Sequence, residues 1–141
     1  MNTKMLLAAL AAGVTGFLLG WVIFGMALMG YYEANTIHYE GLMKGEGEMN
    51  LLLVLLANLV FGVLLAWAAS RMGITTLQGG LVAGAIMGCL VYLSIDLMFM
   101  AMMNMFANHT IVIVDVLANT VWAAGMGAAA GFVLGTGKAS A

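Results

Sequence analysis

The chain has 141 residues, of which 65% are hydrophobic and 7% charged, with a formal net charge of −2 and no proline. A soluble domain of this size cannot bury so much apolar surface, so the composition excludes an ordinary water-soluble fold and calls for lipid as the solvent. With four basic residues in all, a nucleic-acid-binding surface is excluded as well.

The first apolar stretch runs over about 5–30. Lys4 followed by Ala8, Ala9, Ala11 and Ala12 imitates a signal peptide, but the apolar run continues to Gly30, well past a short cleaved core. It is read as a retained helix. An outer loop over 31–49 carries Tyr31, Tyr32 and Tyr39, residues suited to the membrane interface. Three further spans follow over about 50–70, 77–103 and 110–134. Each reaches the ~20 residues that a helix needs to cross a hydrocarbon core about 30 Å thick. The alternation that a membrane barrel requires is absent. The expected fold is therefore all-α: one polytopic domain over 1–141, with four transmembrane helices in an antiparallel bundle.

Charge gives the bundle a direction. Lys4, Arg71 and Lys138 flank one side, while Lys44 stands against Glu33, Glu40, Glu46 and Glu48 on the other. The positive-inside rule then places both termini and the Arg71 turn in the cytoplasm. Cys89 is the single cysteine, so no internal disulfide forms.

Glycine recurs at helical spacing: Gly16 and Gly20 in the first span, Gly80, Gly84 and Gly88 in the third, Gly127, Gly131 and Gly135 in the fourth. Residues four apart share a face, so each series makes a smooth groove where another backbone can approach closely. Packing within one chain is the first use for these grooves, and three of them leave one available for contact between copies. A short repeat relates Leu56–Phe61 (LANLVF) to Leu117–Trp122 (LANTVW), which fits two helical hairpins related by an axis along the membrane normal. Without proline, no broken helix is expected.

Asp96 and Asp115 are the two acids inside spans. A charge at the centre of a membrane helix costs about 2.5–3.5 kcal/mol on insertion scales, so each needs a reason. Both fall in the outer half, on helices joined by a short turn. Asn119 shares a face with Asp115, and Asn58 takes the matching place in the second span. Together Asp96, Asp115, Asn119 and Asn58 sketch an outward-opening polar pocket, with Tyr92 and Ser94 near in sequence and Glu33 and His38 at its rim. One reading is structural, with the acids hydrogen-bonding between helices to hold the bundle. The other is a site for a cation or proton.

Met98, Met100, Met102, Met103 and Met105, followed by His109, raise the question of a soft metal ion. Methionines adjacent on a helix point in different directions, so gap-filling explains them more simply and no metal is assigned. Glu33, His38, Glu40 and His109 lack a metal-ligand spacing. Asn108-His109-Thr110 matches a glycosylation sequon by coincidence, in a turn against the membrane. No paired nucleophile and base and no phosphate-cradling loop occur, so neither an enzyme nor a cofactor is expected.

Thr75–Leu81 (TTLQGGL), the Gly16–Gly25 stretch with Trp21 and Phe24, and Ile113-Val114-Asp115 resemble an uncharacterised bacterial family of small four-helix membrane proteins, known as a domain of unknown function. The resemblance covers most of the chain and rests on glycine and apolar residues. After the first span, Trp21-Val22-Ile23-Phe24-Gly25 replaces the tryptophan-tyrosine and proline-containing segment of that family. The resemblance implies a bacterial cytoplasmic membrane and brings no catalytic residues with it. Two functions are therefore expected: a non-enzymatic membrane protein that self-associates or serves as an accessory subunit of a membrane complex, or a channel or carrier for a small cation or proton built on Asp96 and Asp115.

Overall fold

The computed structural model describes residues 2–45 and 47–137; Glu46 and Lys138, both used in the charge argument, lie outside the described residues. The elements are α1 (Thr3–Val22), a π-helical turn (Ile23–Ala27), α2 (Met29–Asn35), α3 (Leu51–Arg71), α4 (Leu77–Met102) and α5 (His109–Gly135). Four helices are long and apolar enough to cross a membrane: Thr3–Ala27, Leu51–Arg71, Leu77–Met102 and His109–Gly135. The fold is an all-α antiparallel bundle.

Each long helix starts on a side-chain cap. Asn2, Asn50, Thr76 and Asn108 accept from the backbone N–H three residues on, at 2.9, 3.1, 3.0 and 3.1 Å. These caps satisfy N–H groups that the helix itself leaves open, and they fix where each helix begins. Gly73 ends the α3 segment in the left-handed region at φ 70°, where a side chain would be strained.

Two hairpins, α1–α3 and α4–α5, make the closest packing, and α1 also lies along α5. Glycine explains how close. A Cβ placed on Gly80 would stand 2.1 Å from the Gly127 carbonyl oxygen, and one on Gly84 2.3 Å from that of Ala123. In the other hairpin, a Cβ on Gly62 would stand 2.6 Å from the Ala9 carbonyl oxygen. Gly131 and Gly135 meet the Thr76 and Thr75 carbonyls, Gly88 meets Ala123, Gly16 meets Met126 and Asn58, and Gly20 faces Trp122. All the grooves read from the sequence are thus filled from within the chain, which removes them as a reason for contact between copies.

The interior is small-residued: Ala8, Ala12, Ala66, Ala123 and Ala130 are fully buried, while Leu52, Leu56, Val60, Leu90, Leu97, Leu117 and Val121 point outward. Large apolar side chains outside and small ones inside is the arrangement expected where lipid covers the surface and close helix contact holds the bundle. Helices α3 and α4 barely touch, and a largely apolar cleft of about 590 Å³ opens between them, lined in part by Ala68, Met72, Ile74, Val82, Ile86 and Met87.

One expectation is corrected. The first span does not run unbroken to Gly30. At Ile23–Ala27 it widens into a π turn, with Leu28 N–H bonding the Ile23 carbonyl five residues back at 2.8 Å, and Leu28 then leaves helical geometry at ψ 0°. Phe24 and Tyr32 would be about 12 Å apart along a straight helix, yet their ring centroids lie 6.1 Å apart. The bend carries α2 back over the bundle. A proline-free helix is broken after all, by one extra residue in a turn.

The loops at this end are tied together. Thr36 and Phe106 form an isolated antiparallel bridge, with Ile37 N–H bonding the Met105 carbonyl at 2.8 Å and Ala107 N–H the Asn35 carbonyl at 2.9 Å. Asn108 donates to Asn35 Oδ1 at 2.7 Å, and Tyr39 to the Asn104 carbonyl at 2.5 Å. At the opposite end, Lys4 donates to the Thr136 carbonyl, so the two described ends of the chain meet.

Candidate functional site

The site is a polar cluster between α4 and α5, closed over by α2. Asp96 lies six residues before the end of α4, and Asp115 six after the start of α5. Each is therefore about 9 Å from the helix ends nearest the tied loops. The glycine contacts set the register of the two helices, which places Tyr92 level with Asp115 and Asp96 one turn nearer the loops. Asp96 and Asp115 thus lie about one turn apart along the α4–α5 seam. Asp96 is 4% exposed, and its Oδ2 is buried with no donor.

Asp115 is well supplied. Tyr32 donates its hydroxyl to Asp115 Oδ1 at 2.5 Å, and Asn119 donates to Oδ2 at 2.8 Å. Burial, followed by the hydrogen bond and charge of Asp115, pushes the Tyr32 phenol above its usual range, so this donor stays protonated. Lys4 and Arg71 stand at the opposite ends of their helices, so neither compensates the acids.

Beneath the acids lies an aromatic floor. Phe61 stacks on Trp122 with centroids 5.0 Å apart, and Tyr92 meets Trp122 edge-on at 5.9 Å. Trp122 Nε1 donates to the Gly16 carbonyl at 2.8 Å, so residues from α1, α3, α4 and α5 converge here. Below it the core is apolar: Leu65, Ala66, Ala69, Met126, Ala130 and Leu134.

The structure brings together three of the four residues sketched from the sequence: Asp96, Asp115 and Asn119. Asn58 turns elsewhere, donating to the Val54 carbonyl at 2.7 Å while its buried, unpartnered Oδ1 faces the Gly16 backbone. The repeat accounts for the difference. Asn119 makes the same bond to the carbonyl four residues back, at 3.0 Å, but that residue is Asp115 where the second span has Val54. The equivalent residues Phe61 and Trp122 are the ones that stack. Tyr32 was not legible as a site residue; read as an interfacial anchor, it gave no sign of its reach because the bend was not foreseen.

The rim residues stay apart. His38 lies against the Glu33 carbonyl at 3.0 Å, both on the exposed surface. Met98, Met102 and Met103 are exposed, while Met100 packs inward on Ile111, Val112 and Val116. No group of three or more His, Cys, Asp or Glu side chains able to hold a metal occurs among the described residues. Asn108, in the sequon, has its side chain committed to capping α5 and to Asn35.

These features define a class: a helical bundle with four apolar helices compatible with a multi-pass membrane protein, carrying a buried acid, Asp96, near a half-buried one, Asp115. No protein-family model, curated protein or solved structure matches the chain. The resemblance noted above therefore adds no residue roles, and the function has to be argued from the cluster itself.

Proposed function

We propose that the protein is a small, non-enzymatic carrier that takes up a proton or small cation at the Asp96–Asp115 pair from the outer side of a membrane. The observation that carries this is the uncompensated pair: a 4% exposed carboxyl with a donor-less oxygen, set against a second carboxyl. Two like charges at close range repel by several kcal/mol even at an effective dielectric of about 20. A pair so placed holds a bound proton or cation, and buried acids in membrane helices characteristically mark ion or proton paths. The aromatic floor favours a carrier over an open pore, because the described core below the acids is an apolar cluster. The charge asymmetry supports an outward-facing site with the Arg71 turn in the cytoplasm, and the family resemblance supports a bacterial cytoplasmic membrane.

Proton and sodium flux into liposomes, compared between the parent and the Asp96→Asn and Asp115→Asn proteins, tests the reading. Flux lost in both variants is expected; no flux in the parent, or flux unchanged in the variants, overturns it.

The second function, a self-associating or accessory subunit, now rests on the absence of a recognised catalytic set, its glycine grooves being filled internally. Native mass spectrometry from mild detergent decides it: a monomer with no co-purifying subunit removes it.

A further inference from the structure

The acid pair is asymmetric. Both oxygens of Asp115 receive neutral donors, Tyr32 and Asn119, whereas Asp96 Oδ2 receives none. Donors favour an ionised carboxylate, so Asp115 is the acid whose charge the protein solvates and Asp96 the one left without a partner. The titratable groups on the elements around the pair are Tyr31, Tyr32 and the exposed Glu33 on α2, Tyr92 and Cys89 on α4, and the exposed His109 at the start of α5. Packed α1 and α3 contribute only Lys4 and Arg71, at the far end. If the proton leaves, none of the described lysines and arginines is placed to replace its charge, Lys4 and Arg71 being at the far end and Lys44 in the exposed loop.

We propose that this pair is an exchange site, at which one proton on Asp96 gives way to one dehydrated monovalent cation of sodium size held between the Asp96 and Asp115 carboxylates. The inference deepens the carrier reading and rests on it. Exchanging a proton for a monovalent ion leaves the net charge of the site unchanged, so the surroundings that tolerate one state tolerate the other. A divalent ion asks for about six to eight oxygens, most often from several carboxylates, and among the described residues no third acidic or histidine ligand joins the pair. Size selection comes from the helices. A larger ion would have to spread α4 from α5, whose glycines lock their spacing.

Proton release tests it directly. Protein in nanodiscs, in weakly buffered solution with a pH-sensitive dye, receives sodium chloride, potassium chloride or choline chloride. Sodium should release one proton per protein, potassium far less and choline none. In parallel, binding of radioactive sodium should weaken about tenfold for each unit fall in pH across the range where the site is protonated, as reciprocal linkage requires. Asp96→Asn should abolish both signals. Asp96→Glu keeps the acid and should restore proton release, which separates loss of the site from loss of the fold. Proton flux through Asp96 with no sodium-induced release would overturn the exchange and leave the carrier reading standing. Absence of both flux and binding in a folded parent would remove the two together.

Discussion

Tyr32 reaches across 83 positions of sequence to donate its hydroxyl to Asp115 at 2.5 Å, pinning the short helix α2 onto α5. The bond depends on the π turn, since a straight first helix would carry Tyr32 away from the bundle. Tyr32→Phe keeps the ring beside Phe24 and removes only the hydroxyl. Leaving a half-buried acceptor short of a donor costs up to about 1–3 kcal/mol. The variant should unfold at lower temperature in detergent, and amide exchange in Met29–Asn35 should accelerate more than in α3. Equal protection of α2 in both proteins would show that the bond does not hold it.

The same phenol has a signature in pH. Its folded value is raised above the usual 10.0, by burial first and by Asp115 next. The unfolded phenol loses its proton near the usual value, so above it the native state binds more protons than the unfolded one. The stability contributed by Tyr32 is then complete below about pH 10 and is lost as pH rises through the folded value. Tyrosinate absorbance near 295 nm reads this out. Tyr32→Phe should leave the folded titration around pH 10–11 unchanged, yet lower the final absorbance by one tyrosinate once the protein unfolds. A missing tyrosinate in the folded titration itself would contradict the buried phenol.

How far the sequence reached is clear from these residues. Long apolar runs and glycine spacing are strong local signals, so the four spans and the α4–α5 contact were readable. Asp96, Asp115 and Asn119 followed from depth and from a shared helix face. The bend did not follow, because its cause is one extra residue in a turn, with no proline to announce it. Tyr32 was lost with it. Asn58 was misplaced for another reason: spacing gives a residue's face on its helix, but which neighbour that face meets is set by packing, and Asn58 meets Gly16. The caps went unread, although Asn50, Thr76 and Asn108 each stand at the entry to an apolar run.

Glycine substitutions should separate sharply. Gly84→Ala puts a Cβ 2.3 Å from the Ala123 carbonyl oxygen, so α4 and α5 must part; a loss of about 1–3 kcal/mol is expected. At Gly20 the nearest neighbour to a Cβ is 3.5 Å away, and alanine there should be neutral or slightly stabilising through better helix propensity. Thermal unfolding in detergent checks both. Equal effects at the two sites would mean that the close contact of α4 and α5 is not what holds the hairpin.

Trp122 offers an optical test of the bundle centre. It is 6% exposed, against 66% for Trp21 and 49% for Trp67. In bilayers containing brominated lipid, Trp21 and Trp67 should be quenched and Trp122 spared. A protein carrying Trp122 alone, with Phe at the other two positions, should therefore keep its emission. Trp122→Phe would preserve stacking on Phe61 while losing the bond to the Gly16 carbonyl, at a cost of about 0.5–1.5 kcal/mol. Strong quenching of the Trp122-only protein would place this residue at the lipid surface and dismantle the aromatic floor.

The two acids should differ in what they do for stability. Asp115 completes a hydrogen-bonded arrangement with Tyr32 and Asn119, so Asp115→Asn presents an amide group where an acceptor is required. Its nitrogen cannot accept from either donor, and a loss of about 1–3 kcal/mol is expected. Asp96 offers the opposite case. Its Oδ2 is buried without a donor, and it faces another carboxyl. Asp96→Asn retains the size of the side chain and supplies an N–H toward Asp115 in place of the acid proton, so the melting temperature should stay level or rise. A residue retained at the expense of stability is what a functional site predicts. Thermal melts of the two variants at neutral pH decide between the readings, because an Asp96 that merely bridges helices would destabilise on replacement as Asp115 does.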